Sequence, residues 1–242
     1  DKAFRAALLV ICKTAYADGK TQLTKMLKKN RDGAEYVGKH AVMVDMIIAG
    51  LSFTARRRLF PDCPPVSIMA TGGYGRGELS PSSDIDLLFI LSRKETAKQT
   101  AFIEFILYLL WDMSLVVGHA TRTVSENLKA AADDITICTA LLEMRFIAGE
   151  KALASQMLTK WEKWLSQRSV SPFIEAKLAE RERRVNRTGG TRYAVEPNVK
   201  DGKGGLRDLH TLFWVAKYAY RSAHVLDVIE TGILRVSEAR SF

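Results

Sequence analysis

Cysteine is scarce in these 242 residues: Cys12, Cys63 and Cys138 are scattered, odd in number and adjacent to no histidine. That argues against a disulfide framework, offers no zinc-ligand spacing and fits a reducing, cytoplasmic setting. Long hydrophobic runs are also missing. Nothing approaches the ~18 consecutive apolar residues of a membrane span, and the densest stretch, 105–111, reads as part of a buried helix. The start is basic and then apolar and ends in Ala15-Tyr16-Ala17, which mimics a leader-cleavage pattern, but Lys13 interrupts it, so an amphipathic first helix is expected. Two phosphate motifs are absent. There is no G-x-x-x-x-G-K-[ST], and Gly73-Tyr74-Gly75 lacks the third glycine of a dinucleotide loop because Glu78 stands in its place. An EF-hand loop is excluded as well, since Leu88 occupies the third ligand position and no glycine follows.

What is present is an ordinary globular composition, 47% apolar and 26% charged, which excludes disorder, collagen and coiled coil. Lys plus Arg number 36 against 27 Asp plus Glu, a surplus of nine that favours polyanionic partners such as nucleotide phosphates, nucleic acid or an acidic membrane face. Apolar steps of three and four predict a helix over 33–59, stopped by Pro61, Pro64 and Pro65. Short β-branched runs at 66–70 and 85–91 predict two strands joined by a glycine-rich turn. A helix over 95–114 and a third strand over 115–124, interrupted at Gly118, follow. Beyond them helices are expected over 133–147, 150–167, 172–187 and 206–221, broken by a loop at 188–205 with five glycines and Pro197. The expected architecture is α+β: a helical lead-in over 1–60 packed on a small mixed β-sheet core at 61–130, then a mostly helical domain over 131–242.

The chemistry concentrates between Thr71 and Leu88. In an extended strand side chains alternate, so Asp84 and Asp86 project to the same face while Ile85 and Leu87 enter a core. Two adjacent carboxylates repel and resist burial unless a cation neutralises them. Oxygen donors of this kind suit Mg²⁺ or Mn²⁺, ions that also bind phosphate oxygens. Gly72 and Gly73 lack Cβ atoms and would let a triphosphate approach backbone N–H groups, Arg76 would add positive charge, and Ser83 offers a hydroxyl beside the metal. The plainer alternative is a hairpin-like turn with two aspartates on a solvated strand face.

Gly72-Gly73, ten intervening residues, then Asp84-x-Asp86 entering an apolar strand resembles the signature of the DNA polymerase beta-like nucleotidyltransferase superfamily. The longer text, Gly72-Gly73-Tyr74-Gly75-Arg76-Gly77-Glu78-Leu79 with Pro81 and Ser83-Asp84-Ile85-Asp86-Leu87-Leu88, is similar more narrowly to the bacterial PII uridylyltransferase/uridylyl-removing enzymes. So is Glu196-Pro197-Asn198-Val199-Lys200-Asp201-Gly202-Lys203-Gly204-Gly205-Leu206-Arg207-Asp208-Leu209-His210, and so are the shorter phrases Leu110-Trp111-Asp112, Val117-Gly118-His119 and Leu141-Leu142-Glu143-Met144-Arg145. The resemblance covers about residues 66–221. It implies transfer of UMP from UTP to a tyrosine of the small nitrogen-signalling protein PII with release of pyrophosphate. It further implies that Asp84 and Asp86 hold the metal and are the catalytic pair, and that Gly72, Gly73 and Ser83 cradle the triphosphate.

Two departures matter. Many members of the superfamily carry a third carboxylate on a later strand, and the strand at 117–122 has none. His119 on that strand is either a base, because imidazole titrates near neutrality, or a structural histidine. The family's hydrolase domain has a His-Asp signature and its ACT domains sense glutamine, whereas here no histidine precedes an aspartate. For Lys200, Arg207 and Asp208 two readings stand: a glycine loop and helix start beside phosphate, or Asp208 favoured by the helix dipole with Arg207 paired to an acidic neighbour. Arg122 and Arg145 are weaker candidates. The competing functions are an adenylyltransferase modifying glutamine synthetase, whose motifs look similar, and a silent nucleic-acid-binding module suggested by Arg56-Arg57-Arg58. Aromatics do not interleave with those arginines, so nucleic acid is the less favoured partner, and no membrane partner is expected.

Overall fold

The structure, a computed structural model, describes residues 2–187 and 198–221. The chain divides into two compact units, residues 1–130 with 143–160, and residues 131–142 with 161–242.

The first unit opens with two long helices, α1 (Lys2–Asn30) and α2 (Gly33–Arg58). Asp32 starts α2 by accepting the Glu35 N–H at 2.9 Å, and three arginines in the last turn suit the negative end of its dipole. Helix α2 is, among the described residues, the one long and apolar enough to cross a membrane by length and composition. Its hydropathy has a local explanation: Ala41, Val44, Ile48, Leu51 and Ala55 form a stripe of threes and fours buried in the core.

Strand β1 (Val66–Ala70) follows, then a single helical turn, α3 (Gly72–Gly75), and β2 (Ile85–Leu91), which returns antiparallel to β1 with Ala70 opposite Leu87. Helix α4 (Ala97–Asp112) begins with a reciprocal cap between Thr96 and Gln99. It leads to β3 (Val117–Thr123), parallel to β2 with Asp86 opposite Gly118. One sheet face (Ile68, Ile85, Leu87, Phe89, Val117) joins α2 and α4 in a continuous core. The opposite face carries Asp86, Leu88 and Ile90.

The apolar periodicity over 133–147 predicts one helix. The chain instead forms α5 (Val124–Asp133), α6 (Ile135–Leu142) and a fourth strand, β4 (Arg145–Gly149). Strand β4 pairs antiparallel with β1, giving the mixed order β3-β2-β1-β4. Without it β1 would be an open edge with unpaired backbone groups. Gly149 permits the close join, since it sits at φ +88° and a side chain there would strike the Val66 carbonyl. The expected α+β class with a small mixed sheet is thus observed, with one strand more than the sequence suggested.

Helix α7 (Lys151–Ser166) belongs to the first unit as far as Lys160. The second unit consists of α6, the end of α7, α8 (Ser171–Arg187) and α9 (Leu206–Tyr220). Phe173 stacks on Tyr218 at 4.0 Å, and the buried Lys177 lies 4.3 Å above the Trp214 ring while pairing with Glu180 at 2.6 Å. Burial pushes the Cys138 thiol up to about 12. Of the loop expected over 188–205, residues 188–197 lie outside the described residues, as does everything after 221.

Candidate active site

The site is built at the end of the β1–β2 pair. The Thr71 N–H donates to the Asp86 carbonyl at 3.0 Å, which ties the glycine turn to the start of β2. Gly72 adopts φ +60°, open to glycine at little cost. Within the turn, Gly75, Arg76, Gly77 and Glu78 donate their amides back to Thr71, Gly72, Tyr74 and Gly73. The amides of Gly72 and Gly73 donate to no acceptor among the described residues.

Asp86 is half-buried and Asp84 exposed, and both lie on the same side of the chain. The Asp86 carboxylate sits between two glycines. A Cβ on Gly72 would come within 2.9 Å of one of its oxygens, and a Cβ on Gly118 within 2.8 Å of the other. Gly118 is therefore a further site residue, and its signal in the sequence is a glycine inside a strand, which marks a close approach. Burial, and then the charge of Asp84, raise the Asp86 carboxyl above the usual aspartate range. Among the described residues neither carboxylate is paired with a basic side chain.

That arrangement fits a divalent cation. Two like charges, one partly desolvated, are held together without a neutralising group among the described residues, and hard oxygen donors match Mg²⁺. No group of three or more His, Cys, Asp or Glu placed so as to hold a metal ion occurs among the described residues. The protein donor set is these two carboxylates, a number usual for Mg²⁺ ions that also bind substrate phosphate.

Other expected residues fall differently. Ser83 is exposed beside Asp84, in a turn closed by its own N–H to the Ser80 carbonyl at 3.1 Å. Arg76 does not present its charge freely: its guanidinium donates to Glu143 at 2.6 Å and Glu78 at 2.9 Å. Burial works against the Arg76 charge, but the two carboxylates outweigh it and hold the group protonated. His119 is paired with Leu87 in the register and rests against Trp111, ring centres 6.0 Å apart. Alternation puts it on the sheet face away from Asp86, beside Trp111 and not beside the carboxylate pair. In the arginine run, Arg56 caps the Cys63 carbonyl at 2.8 Å and Arg57 lies over Phe53, so both serve local structure.

In the second unit, Asn198 folds the loop by accepting the amides of Lys200 and Asp201. The N–H groups of Leu206 and Arg207 donate to the carbonyls of Val199 and Lys200 at 2.9 Å, so the amides that open α9 are already engaged within the loop. Asp208 accepts from Arg184 at 2.6 Å, Arg181 at 3.0 Å and the Gly204 N–H at 2.9 Å. Burial opposes its charge, yet these donors hold its carboxyl below the usual value. Arg207 faces Asp201 at 3.7 Å and the Trp214 ring at 5.8 Å. Lys200 is exposed on the loop.

Comparison with known proteins agrees with this geometry. A nucleotidyltransferase domain family matches residues 53–140, and the GlnD PII-uridylyltransferase family matches residues 172–242. The bifunctional uridylyltransferase/uridylyl-removing enzyme of Rhodopseudomonas palustris is 47% identical over 247 residues, covering 100% of this chain and 27% of its own length. That of Bradyrhizobium sp. (strain ORS 278) is 46% identical, covering 99% and 26%, and that of Rhodospirillum rubrum 42%, covering 98% and 26%. The chain spans about a quarter of the length of these curated relatives.

Proposed function

We propose that this chain, which belongs to the family of bifunctional uridylyltransferase/uridylyl-removing enzymes, transfers UMP from UTP to a tyrosine hydroxyl of PII in a cytoplasmic setting. The observation that carries the reading is the Asp84–Asp86 pair, two carboxylates at the mouth of a glycine turn with no counter-charge among the described residues. In the reaction, the tyrosine oxygen bonds to the α-phosphorus of UTP, the bond from that phosphorus to the β-phosphate oxygen breaks, and pyrophosphate leaves. Mg²⁺ or Mn²⁺ on Asp84 and Asp86 would neutralise the charge that develops on the phosphates. The chain's own residues then do mostly positioning. Gly72 and Gly73 bring unengaged amides to phosphate oxygens, Ser83 offers a hydroxyl beside Asp84, and Arg76 braces the turn through its carboxylate partners. Lys200 and Arg207 are further cationic groups for the nucleotide, supported by the resemblance of their segment alone. The tyrosine hydroxyl releases its proton to bulk water as the bond to phosphorus forms, so the step yields uridylylated PII, pyrophosphate and one proton.

The test supplies Mg²⁺, PII and one labelled nucleotide at a time. Label should pass to PII from UTP and not from ATP. Transfer from ATP with none from UTP would make the chain an adenylyltransferase, and duplex binding that falls steeply with salt would favour the nucleic-acid reading.

A further inference from the structure

The glycine turn is gripped from outside by one short segment of chain. Arg145, the first residue of β4, stands opposite Ala70, the last residue of β1, where the turn begins. Its guanidinium donates to the carbonyl of Tyr74 at 3.1 Å and to that of Gly75 at 3.3 Å, and its remaining donors fork onto Asp45 of α2 at 2.6 and 3.1 Å. The buried Tyr74 hydroxyl donates to the same Asp45 at 2.6 Å. Two residues before Arg145, Glu143 holds Arg76, the residue that follows Gly75, and only 1% of the Glu143 side chain is exposed. A side chain on Gly75 would collide with the Glu143 carbonyl, so turn and segment touch backbone to backbone.

Of these side chains only Arg76 and its carboxylate partner Glu143 figure in the reading above, and there as a brace for the turn. Together these side chains engage the carbonyls at the far end of a segment with three glycines among four residues, which loses more conformational freedom on ordering than a stretch of ordinary residues. Fixing those carbonyls fixes the peptide planes of the turn, and with them the direction of the leading amides. We infer that Arg145, with Glu143, is a positioning residue that holds the Gly72–Gly75 turn ready for the triphosphate, acting on nucleotide binding through the backbone it grips. The inference rests on the nucleotide-binding reading of that turn. It explains why the fork must be arginine: two carbonyls and a carboxylate are met at once, in a geometry that a lysine ammonium does not reproduce.

The experiment compares Arg145→Gln and Arg145→Lys with the unaltered chain, reading three quantities: Mg²⁺-dependent UTP affinity by calorimetry, affinity for PII, and melting temperature. Arg145→Gln should weaken UTP binding about tenfold, as loss of an outer supporting group does elsewhere. Arg145→Lys should recover part of that loss, and PII affinity should stay as it was. Variants that melt lower yet bind UTP as tightly as the unaltered chain overturn the inference, and so does a parallel loss of UTP and PII affinity. If Arg145→Gln does not fold, Arg145→Lys decides on the same readouts. An unaltered chain that binds PII but no UTP would remove the nucleotide-binding reading itself. UTP binding that is normal there and equal in both variants removes only the positioning role.

Discussion

The two glycine-rich segments use the same residue types to opposite ends. Around Gly72 and Gly73 the acids have no basic partner, and the leading amides no acceptor, among the described residues. Around Gly202 and Gly205 the amides close onto the loop's own carbonyls, and Asp208 is surrounded by two arginines and the Gly204 N–H. An acid whose charge is answered inside the protein builds the fold, and an acid whose charge is left over asks for a cation from outside. Composition cannot separate the two cases, because both stretches read as glycines accompanied by Arg and Asp.

The contrast breaks most visibly at Asp86. Asp86→Asn should lower kcat/KM for uridylyl transfer by roughly 100-fold or more through loss of cation-held charge stabilisation, while the melting temperature holds or rises because the repulsion from Asp84 is gone. Unchanged steady-state kinetics would contradict the assignment. Asp208→Asn should do the reverse, costing about 2 kcal/mol of stability in denaturant unfolding since it strands partly buried arginines. Full stability there would show that the arginine cluster is incidental.

Gly118→Ala sharpens the comparison. The new methyl would meet the Asp86 carboxylate at 2.8 Å, so transfer should fall about tenfold with little change in stability, the mark of a displaced ligand. A variant as active as the parent would mean that the carboxylate has room to spare.

Acid gives the smallest effect and separates the units by pH. His40 sits between Tyr16 and the Leu79 carbonyl. Burial chiefly holds it below the ordinary histidine value of 6.5, aided by Lys20 and opposed by the Leu79 hydrogen bond. The unfolded chain takes up that proton first, so the first unit should lose stability as pH falls below about 6.5. Asp208 has a depressed carboxyl, so its contribution should persist down to the ordinary aspartate value of 3.8 and be lost only as pH drops further. Urea melts at stepped pH, followed by local probes in each unit, would show the order. Simultaneous loss near neutrality, abolished by His40→Gln in neither unit, would remove the histidine account.

Much of this was legible beforehand because it is local. The stripe from Ala41 to Ala55 declares α2, the three prolines after it declare its end, and β-branched runs declare β1 and β2. The Asp84-x-Asp86 spacing places both carboxylates on one side whatever surrounds them. Strand β4 was not legible: Arg145 to Gly149 continues an apolar pattern that a helix would satisfy equally, and only the unpaired edge of β1 decides for a strand. Nor could any spacing reveal that Arg76 is consumed by Glu143, 67 positions away, or that Arg145 reaches Asp45 across 100.

The sequence alone thus determined the elements and the pair of acids, since hydrophobic period, turn residues and strand alternation act between near neighbours. Tertiary structure decided which charges remain uncompensated, turned His119 away from Asp86, set Gly118 against the carboxylate and brought Arg145 to the glycine turn. Those outcomes depend on which strand lies beside which, and on distances between residues that the chain order keeps far apart.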